Sequence, residues 1–175
     1  MMECIGASTA TRGEIPPPGF DTKPLRNTFG RFATGVTIVT VRTPDGPLGI
    51  TANSFSSVSL DPPLVMWNIA KHSSRFAPFA EARHFAIHVL AREQDHLCWR
   101  FAKFGRDFSG IDLTFNPEGA PLIPGALARL ECEIANPIDA GDHLVLLARV
   151  QRMSARDGEP MVFFSGRYRG LAADG

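Results

Sequence analysis

GVTIVTVRTPDGPLGITAN, residues 35–53, is the stretch of this sequence that decides the fold. In its first half, VTIVTV is a run of β-branched residues, which is typical of a strand. The central TPDGP has the composition of a tight turn, and LGITAN then returns as a second strand. The stretch therefore predicts a β-hairpin, and the rest of the chain can be assigned outward from it.

A hydroxyl-rich stretch, TANSFSSVSLDPP at residues 51–63, overlaps the end of the hairpin. It holds four serines, a threonine and an asparagine, and it closes on two prolines. Short polar groups, mainly backbone N–H donors, can cradle a phosphate or a heteroaromatic ring. A solvent-exposed loop would have the same composition, so composition alone leaves both interpretations open.

Downstream of this stretch, the apolar periodicity predicts strand, helix, strand and helix in turn. PLVMWNIA (residues 63–70) and HFAIHVLA (residues 84–91) are the predicted strands. The segment between them predicts a short helix with Ser73 or Ser74 as its N-cap. REQDHLCWRFAKF (residues 92–104) predicts a second, amphipathic helix. Its predicted inward face is formed by Leu97, Phe101 and Phe104.

Upstream of the hairpin, DTKPLRNTFGRFATG (residues 21–35) predicts a helix that begins at a capping Asp21 or Thr22 and ends at Gly35. Residues 1–20 are small and polar and end in a proline-rich run. They predict a flexible N-terminal tail, or an arm lying on a neighbouring molecule. The predicted folded domain therefore comprises residues 21–175.

The C-terminal part of the chain, from about residue 126, is again strand-like. In all, six or seven predicted strands, several of them in hairpins, accompany two or three short helices. The regular strand–helix alternation and the glycine fingerprint of a doubly wound fold are missing from the sequence. The pattern predicts a mainly β protein, an antiparallel barrel with short helices at its ends.

Composition limits the classes of function. The 175 residues carry 18 basic and 18 acidic side chains and are 44% hydrophobic, the balance of a globular protein. The zero formal charge argues against nucleic acid, and no apolar run of the sequence is long enough for a membrane-spanning helix. Three cysteines without CxxC spacing argue against a disulfide framework and predict a cytoplasmic location.

Two polar motifs are candidates for a site. KHSSRF (residues 71–76) places hydroxyls and cations before a predicted helix, where an anion can bind, although a plain helix cap has the same residues. DAGDH (residues 139–143) places His143 at the start of a strand after a glycine turn, where its side chain can project into a pocket. A histidine on a surface turn is the alternative interpretation.

Residues for metal binding or nucleophilic catalysis are not grouped in the sequence. His84 and His88 lie on one face of a predicted strand without further ligand spacing, so no metal is predicted. Cys132 lies between strand-forming apolar residues and is predicted to be buried. No GxSxG, HExxH or P-loop motif occurs. Any reaction is therefore expected to depend on the chemistry of a cofactor.

Six blocks, in this order, resemble the short-chain flavin reductases, the reductase components of two-component flavin-dependent monooxygenases. The resemblance runs from about residue 25 to residue 171 and implies an FMN-binding split β-barrel. It implies a homodimer with FMN or FAD near the subunit interface, reduction of the flavin by NADH or NADPH, and delivery to a separate oxygenase. The blocks are FATGVTIVTV, GITANSFSSVSLDPPLV, FAIHVLAREQ, GALARLECEI, DAGDHLVLLARV and FFSGRYRGL.

The same resemblance assigns site residues by position. Those implied at the flavin ring and ribityl chain are Thr51, Ala52, Asn53, Ser54, Ser57, Val58, Ser59 and Asp61. Those implied at the phosphate are Ser73, Ser74 and Arg75. His143 is implied on the nicotinamide side, and Arg167 and Tyr168 at the rim of the pocket. The sequence departs from the family pattern at Trp67–Asn68, where a small residue or cysteine is frequent, and at His88, where asparagine is common.

Two other functions are compatible with the same fold. One is a flavoprotein with tightly bound FMN that reduces another acceptor, such as a ferric chelate or a quinone. The other is a flavin-binding module without catalysis, which the presence of His143 and of the GRY segment makes the weaker alternative.

Overall fold

The structure, a computed structural model, describes residues 21–171. The predicted tail at residues 1–20 lies outside the described residues, as do residues 172–175. The helices are α1 (Thr22–Phe29), α2 (Phe76–Glu81) and α3 (Asp95–Lys103), the last preceded by a 3₁₀ turn at Arg92–Gln94. The strands are β1 (Thr34–Gly35), β2 (Thr37–Thr43), β3 (Gly46–Ala52), β4 (Ser56–Leu60), β5 (Pro63–Ala70), β6 (His84–Val89), β7 (Thr114–Phe115), β8 (Pro121–Leu122), β9 (Ala128–Ala140), β10 (His143–Ala155), β11 (Val162–Phe164) and β12 (Arg167–Arg169).

Seven strands form the main antiparallel sheet, in the order β3-β2-β6-β9-β10-β5-β4. The predicted hairpin is confirmed as β2–β3, in which Thr37 pairs with Ala52 and Thr43 with Gly46. Strands β3 and β4 follow each other along the chain but stand at the two ends of the hydrogen-bonded order. The sheet is therefore open between these two strands.

One hydrophobic core fills the inside of this sheet. Its buried side chains come from six of the seven strands, every one except β4, so the sheet must curl around them. Trp67 of β5 is fully buried and meets Phe79 of α2 and Phe85 of β6 edge-on, with ring centroids 5.2 and 6.1 Å apart. Burying such a side chain contributes roughly 1.5–3 kcal/mol. The result is a barrel with one seam, between β3 and β4.

A second hydrophobic cluster joins α3 to the start of β2. Leu97 and Phe101 of α3 are buried there, as predicted. Phe104 is 55% exposed, so its predicted inward position is wrong. The reason is that the helix ends at Lys103, and the helical periodicity no longer applies beyond it. Within residues 21–171, no helix reaches the length and hydrophobicity that crossing a membrane requires.

Helix α1 is shorter than the sequence predicts. It begins after the predicted cap Asp21, whose carboxylate accepts a hydrogen bond from the N–H of Lys23 at 2.9 Å. It ends at Phe29, with Gly30 as its C-cap, so the predicted end at Gly35 is wrong. Thr34 and Gly35 instead pair with β11, and this strand pairing removes them from the helix. No residue of α1 is buried, so the helix lies on the surface.

The hydroxyl-rich stretch is mostly strand and not loop. Its first two residues complete β3, and Ser56–Leu60 form β4, which pairs with β5. Strand β4 is at the edge of the sheet, and its register shifts between Ser57 and Ser59, leaving Val58 48% exposed. A solvated edge strand rich in serine has the composition of a loop, which is why the pattern did not predict it. Residues 53–55 and the turn at Asp61–Pro62 remain as connections.

The predicted N-cap of the short helix α2 is also wrong. The helix begins at Phe76 and is preceded by Arg75, which makes no side-chain capping bond. Ser73 instead accepts a hydrogen bond from the N–H of Arg75 at 3.2 Å. The serines at 73 and 74 therefore belong to a turn between β5 and α2.

Candidate functional site

A cavity of about 1100 Å³ lies where α1, the end of β3, β5, the start of β10 and the end of α3 meet. Its walls combine apolar side chains such as Ile50 and Val145 with many short polar ones. This mixture is typical of a pocket for a heteroaromatic ligand. Eight of the residues predicted for the site line it: Thr51, Ala52, Asn53, Ser54, Ser73, Ser74, Arg75 and His143.

The other predicted site residues do not line this cavity. Those on or just after β4 lie at the sheet edge beyond the seam: Ser57, Val58, Ser59 and Asp61. Arg167 and Tyr168 line a separate cavity of about 480 Å³ beside Trp99. There the Tyr168 ring meets Trp99 edge-on, with ring centroids 5.0 Å apart. A single chain therefore brings together part of the predicted set.

The hydroxyls of Thr51 and Ser54 are occupied inside the protein. Thr51 Oγ1 donates to the carbonyl of Cys98 at 2.8 Å, which ties β3 to α3. Ser54 Oγ donates to the carbonyl of Asn68 at 3.2 Å and accepts from the N–H of the same residue at 2.9 Å. A hydroxyl has one proton to donate, so neither can donate to a ligand as well. These two residues shape the wall of the cavity.

The two cations of the KHSSRF motif are occupied as well. Lys71 Nζ forms an ion pair with Asp139 at 2.8 Å. The Arg75 guanidinium donates to the carbonyls of Phe101 and Ala102, at the C-terminal end of α3. Burial lowers the pKa of Arg75, although the group remains charged. Arg75 thus holds the 71–75 turn against α3.

Two other cations line the rim of the cavity and are available to a ligand. Arg26 of α1 and Lys103 of α3 both line the cavity. None of the ion pairs among residues 21–171 includes Arg26 or Lys103. Sequence reasoning missed both, because only the tertiary fold brings α1 and the last turn of α3 to the same rim. The rim can attract a phosphate group.

His143 occupies the predicted place at the start of β10. It follows Gly141, whose φ of +66° is the left-handed conformation that a tight turn favours. Its Nδ1 lies 2.7 Å from the carboxylate of Asp142, and its side chain is 42% exposed. The hydrogen bond from His143 holds the pKa of Asp142 below its usual range. The Asp142 carboxylate orients the imidazole at the mouth of the cavity.

Asn68 is a cavity residue that sequence reasoning did not identify. It stands in the middle of β5, between the fully buried Trp67 and the almost fully buried Ile69. Its side-chain oxygen Oδ1 is buried and has no hydrogen-bond partner among the described residues. The available signal was a lone carboxamide in an otherwise apolar strand pattern.

The thiols inside the protein are not placed to react. Cys98 and Cys132 are both free and buried. Burial raises the pKa of the Cys132 thiol to about 12, so it remains protonated at neutral pH. The cavity offers binding groups, two histidines (His72 and His143) and a cationic rim. This arrangement suits a flavin: the walls can enclose the ring, the carboxamide can bond to it, and the rim can hold its phosphate.

The sequence matches the family described as flavin reductase like domain over residues 29–172, and the chain belongs to that family. The class predicted from the sequence, a flavin reductase with a split β-barrel fold, is confirmed. The chain is 53% identical over 152 residues to FMN reductase (NADH) SmoA of Agrobacterium fabrum. This aligned region covers 87% of each of the two chains.

Two further proteins extend this likeness. The reductase subunit HsaB of a flavin-dependent monooxygenase from Rhodococcus jostii is 37% identical over 93% of this chain and 84% of its own. The structure of the NADH:FAD oxidoreductase SgcE6 of Streptomyces globisporus, in complex with NAD and FAD fragments, superposes with a TM-score of 0.83. It is 41% identical and covers 93% of this chain and 99% of its own.

Proposed function

We propose that the protein oxidises NADH, reduces FMN and supplies the reduced flavin to a separate oxygenase. The observation that carries this proposal is the cavity between β3, β5 and β10, with its polar wall and cationic rim. NADH and FMN are named first because SmoA, at 53% identity, is an FMN reductase that uses NADH. The oxygenase is inferred from HsaB, which is the reductase subunit of a monooxygenase.

The roles of the residues follow from their positions around the cavity. Residues 51–54 enclose the isoalloxazine ring, with the hydroxyls of Thr51 and Ser54 fixing the wall. Ser74, with Arg26 and Lys103, binds the phosphate, while Arg75 keeps the turn in place. His143 at the mouth orients the nicotinamide carboxamide. The bound flavin supplies the hydride acceptor, and the protein aligns the two rings and excludes water.

A second copy of the chain accounts for the predicted residues that lie outside the cavity. Edge strand β4 carries Val58, 48% exposed, and ends at Leu60, 97% exposed, which suits an interface between two copies. In a homodimer, the partner's β4 residues Ser57, Val58, Ser59 and Asp61 contact the ring and ribityl chain, and its Arg167 and Tyr168 approach the rim. Light scattering tests this: we expect twice the 19.0 kDa chain mass, and a monomer would contradict it.

We place the protein in the cytoplasm, where NADH is regenerated. The free, buried Cys98 and Cys132 support this placement, because neither depends on an oxidising compartment.

Steady-state reduction tests the proposed activity. NADH and NADPH are each combined with riboflavin, FMN and FAD, and oxidation is followed by the loss of nicotinamide absorbance. We expect NADH with FMN to give the highest kcat/KM. No oxidation with any flavin would overturn the proposed activity, and a preference for FAD would change the flavin assignment alone.

A further inference from the structure

We propose that the Asn68 carboxamide is a flavin-binding group, its Oδ1 accepting a hydrogen bond from a donor of the bound flavin. Asn68 lines the cavity, and its Oδ1 is buried without a hydrogen-bond partner among the described residues. The inference deepens the proposed function and rests on flavin being the ligand. No sequence motif assigns this role, since the strand pattern around Asn68 is otherwise apolar.

The strand geometry directs the side chain. In β5, Trp67 and Ile69 are 0% and 1% exposed and belong to the barrel core. Alternate side chains of a strand point to opposite faces, so Asn68 points away from that core. Across the ladder Asn68 is paired with Val145 of β10, and Val145 also lines the cavity. Asn68 therefore lines the cavity from β5, beside Val145 of the neighbouring strand β10.

The backbone of Asn68 is held independently of its side chain. Its N–H and its carbonyl both bond to Ser54 Oγ, at 2.9 and 3.2 Å. These bonds fix the strand to the β3–β4 connection at residues 53–55. The carboxamide itself makes no hydrogen bond within residues 21–171, although the residue is largely buried. A buried acceptor without a partner is costly, so a ligand donor is the expected partner.

The chemistry of flavins limits which of their groups can donate a hydrogen bond to Oδ1. An oxidised isoalloxazine carries one ring N–H, at N3, and the ribityl chain carries hydroxyls. Both are neutral donors of the kind that Oδ1 can accept, and neither needs a charged partner. Asn68 adjoins Ser54 at one end of the cavity, whereas Ser73 and Ser74 lie beyond the end of β5. This position fits the ring and ribityl portion and not the phosphate.

Fluorescence titration of the full chain with FMN, riboflavin and lumiflavin tests the proposal without turnover. Asn68→Leu removes both polar atoms at similar volume, and the exposed Asn136→Leu on β9 is the matched control. We expect Asn68→Leu to weaken FMN and riboflavin binding by about tenfold and Asn136→Leu to leave it unchanged. Lumiflavin lacks the ribityl chain, so a loss shared by lumiflavin identifies N3–H as the donor. A loss confined to FMN and riboflavin identifies a ribityl hydroxyl.

If Asn68→Leu binds all three flavins as tightly as the wild type does, the role of Asn68 is overturned. The proposed flavin reduction is not affected by that result, because turnover of the wild type tests it separately. Absence of flavin binding by the wild type would overturn the proposed function and this inference together. Thermal unfolding checks that the variants are folded. Asn68→Ala, which adds no bulk and keeps both backbone bonds to Ser54, replaces the leucine variant if that one is unfolded.

Discussion

Ser54 and Asn68 are joined twice through one hydroxyl, since Ser54 Oγ accepts from the Asn68 N–H at 2.9 Å and donates to the Asn68 carbonyl at 3.2 Å. Both residues line the cavity, one from the β3–β4 connection and the other from β5. The bond pair therefore ties the β3–β4 connection to β5 at the wall of the cavity.

Ser54→Ala leaves both backbone groups of Asn68 without their partner. We expect the free energy of unfolding to fall by about 1–2 kcal/mol and FMN affinity to weaken, because the wall loses its anchor. Urea denaturation and flavin titration measure the two effects. Ser56 Oγ bonds only to its neighbouring carbonyl, of Ser57, so Ser56→Ala is the control and should stay within about 0.5 kcal/mol. Equal effects of the two variants would contradict the anchoring role.

Arg75 is expected to act on the fold and not on the phosphate. Arg75→Met removes the bonds to the carbonyls of Phe101 and Ala102 and should lower stability by about 1–3 kcal/mol. Affinity for FMN and for riboflavin should fall to the same extent. Arg149→Met on the exposed side of β10 serves as control. If affinity falls for FMN and not for riboflavin, Arg75 binds the phosphate, as the sequence resemblance implies, and the structural role is contradicted.

Lys103 and Arg26 should show the opposite pattern. Both line the cavity without an ion pair among residues 21–171, so their charge is available to an anion. Lys103→Ala is expected to raise the dissociation constant for FMN by about threefold to tenfold and to leave riboflavin unchanged. The effect should shrink at high salt, which screens exposed charges. An equal loss of affinity for FMN and for riboflavin would contradict the assignment of these cations to the phosphate.

His88 should make the fold sensitive to acid. Its Nε2 accepts from the N–H of Ile123 at 3.0 Å, so its Nδ1 carries the proton and donates to the carbonyl of Ile38 at 3.1 Å. Burial lowers its pKa to about 4, against about 6.5 in an unfolded chain. Between these values the unfolded state binds more protons, so stability falls as the pH drops from 6.5 to 4. The total loss is about 3 kcal/mol.

Urea denaturation across that pH range measures this loss. His88→Gln should be less stable than the wild type at pH 7, because the hydrogen bond to Ile123 is disturbed. Its stability should nevertheless decline less on acidification, since the titrating group is gone. Parallel pH profiles of the two proteins would assign the acid sensitivity to other groups.

Local patterns predicted the hairpin β2–β3, strands β5 and β6 and the position of His143. Each of these depends on neighbours close in sequence, such as a β-branched run or a glycine turn. The end of α1 was not predictable, because it is set by the pairing of Thr34 and Gly35 with a strand more than 120 residues later. Strand β4 was missed because the composition of a serine-rich edge strand equals that of a loop.

The sequence predicted the residues that line the cavity from the end of β3, and it predicted less of the remaining wall. The role of Arg75 depends on α3, 26 residues away, and sequence shows the cation but not its partner. Asn68 was missed because one asparagine in a strand does not reveal which face it occupies until the core defines Trp67 as inward. The rim cations come from helices whose orientation only packing determines.

The cavity wall runs from Thr22 to Val145 and draws on α1, β3, β5, α3 and β10. No short segment of the chain contains it, so the cavity exists only when the whole barrel is assembled. A flavin that binds there stabilises the native state against every unfolded form by mass action. Cellular flavin supply would then set the lifetime of the protein as well as its turnover, because chains that lack the ligand unfold more often and reach proteases sooner.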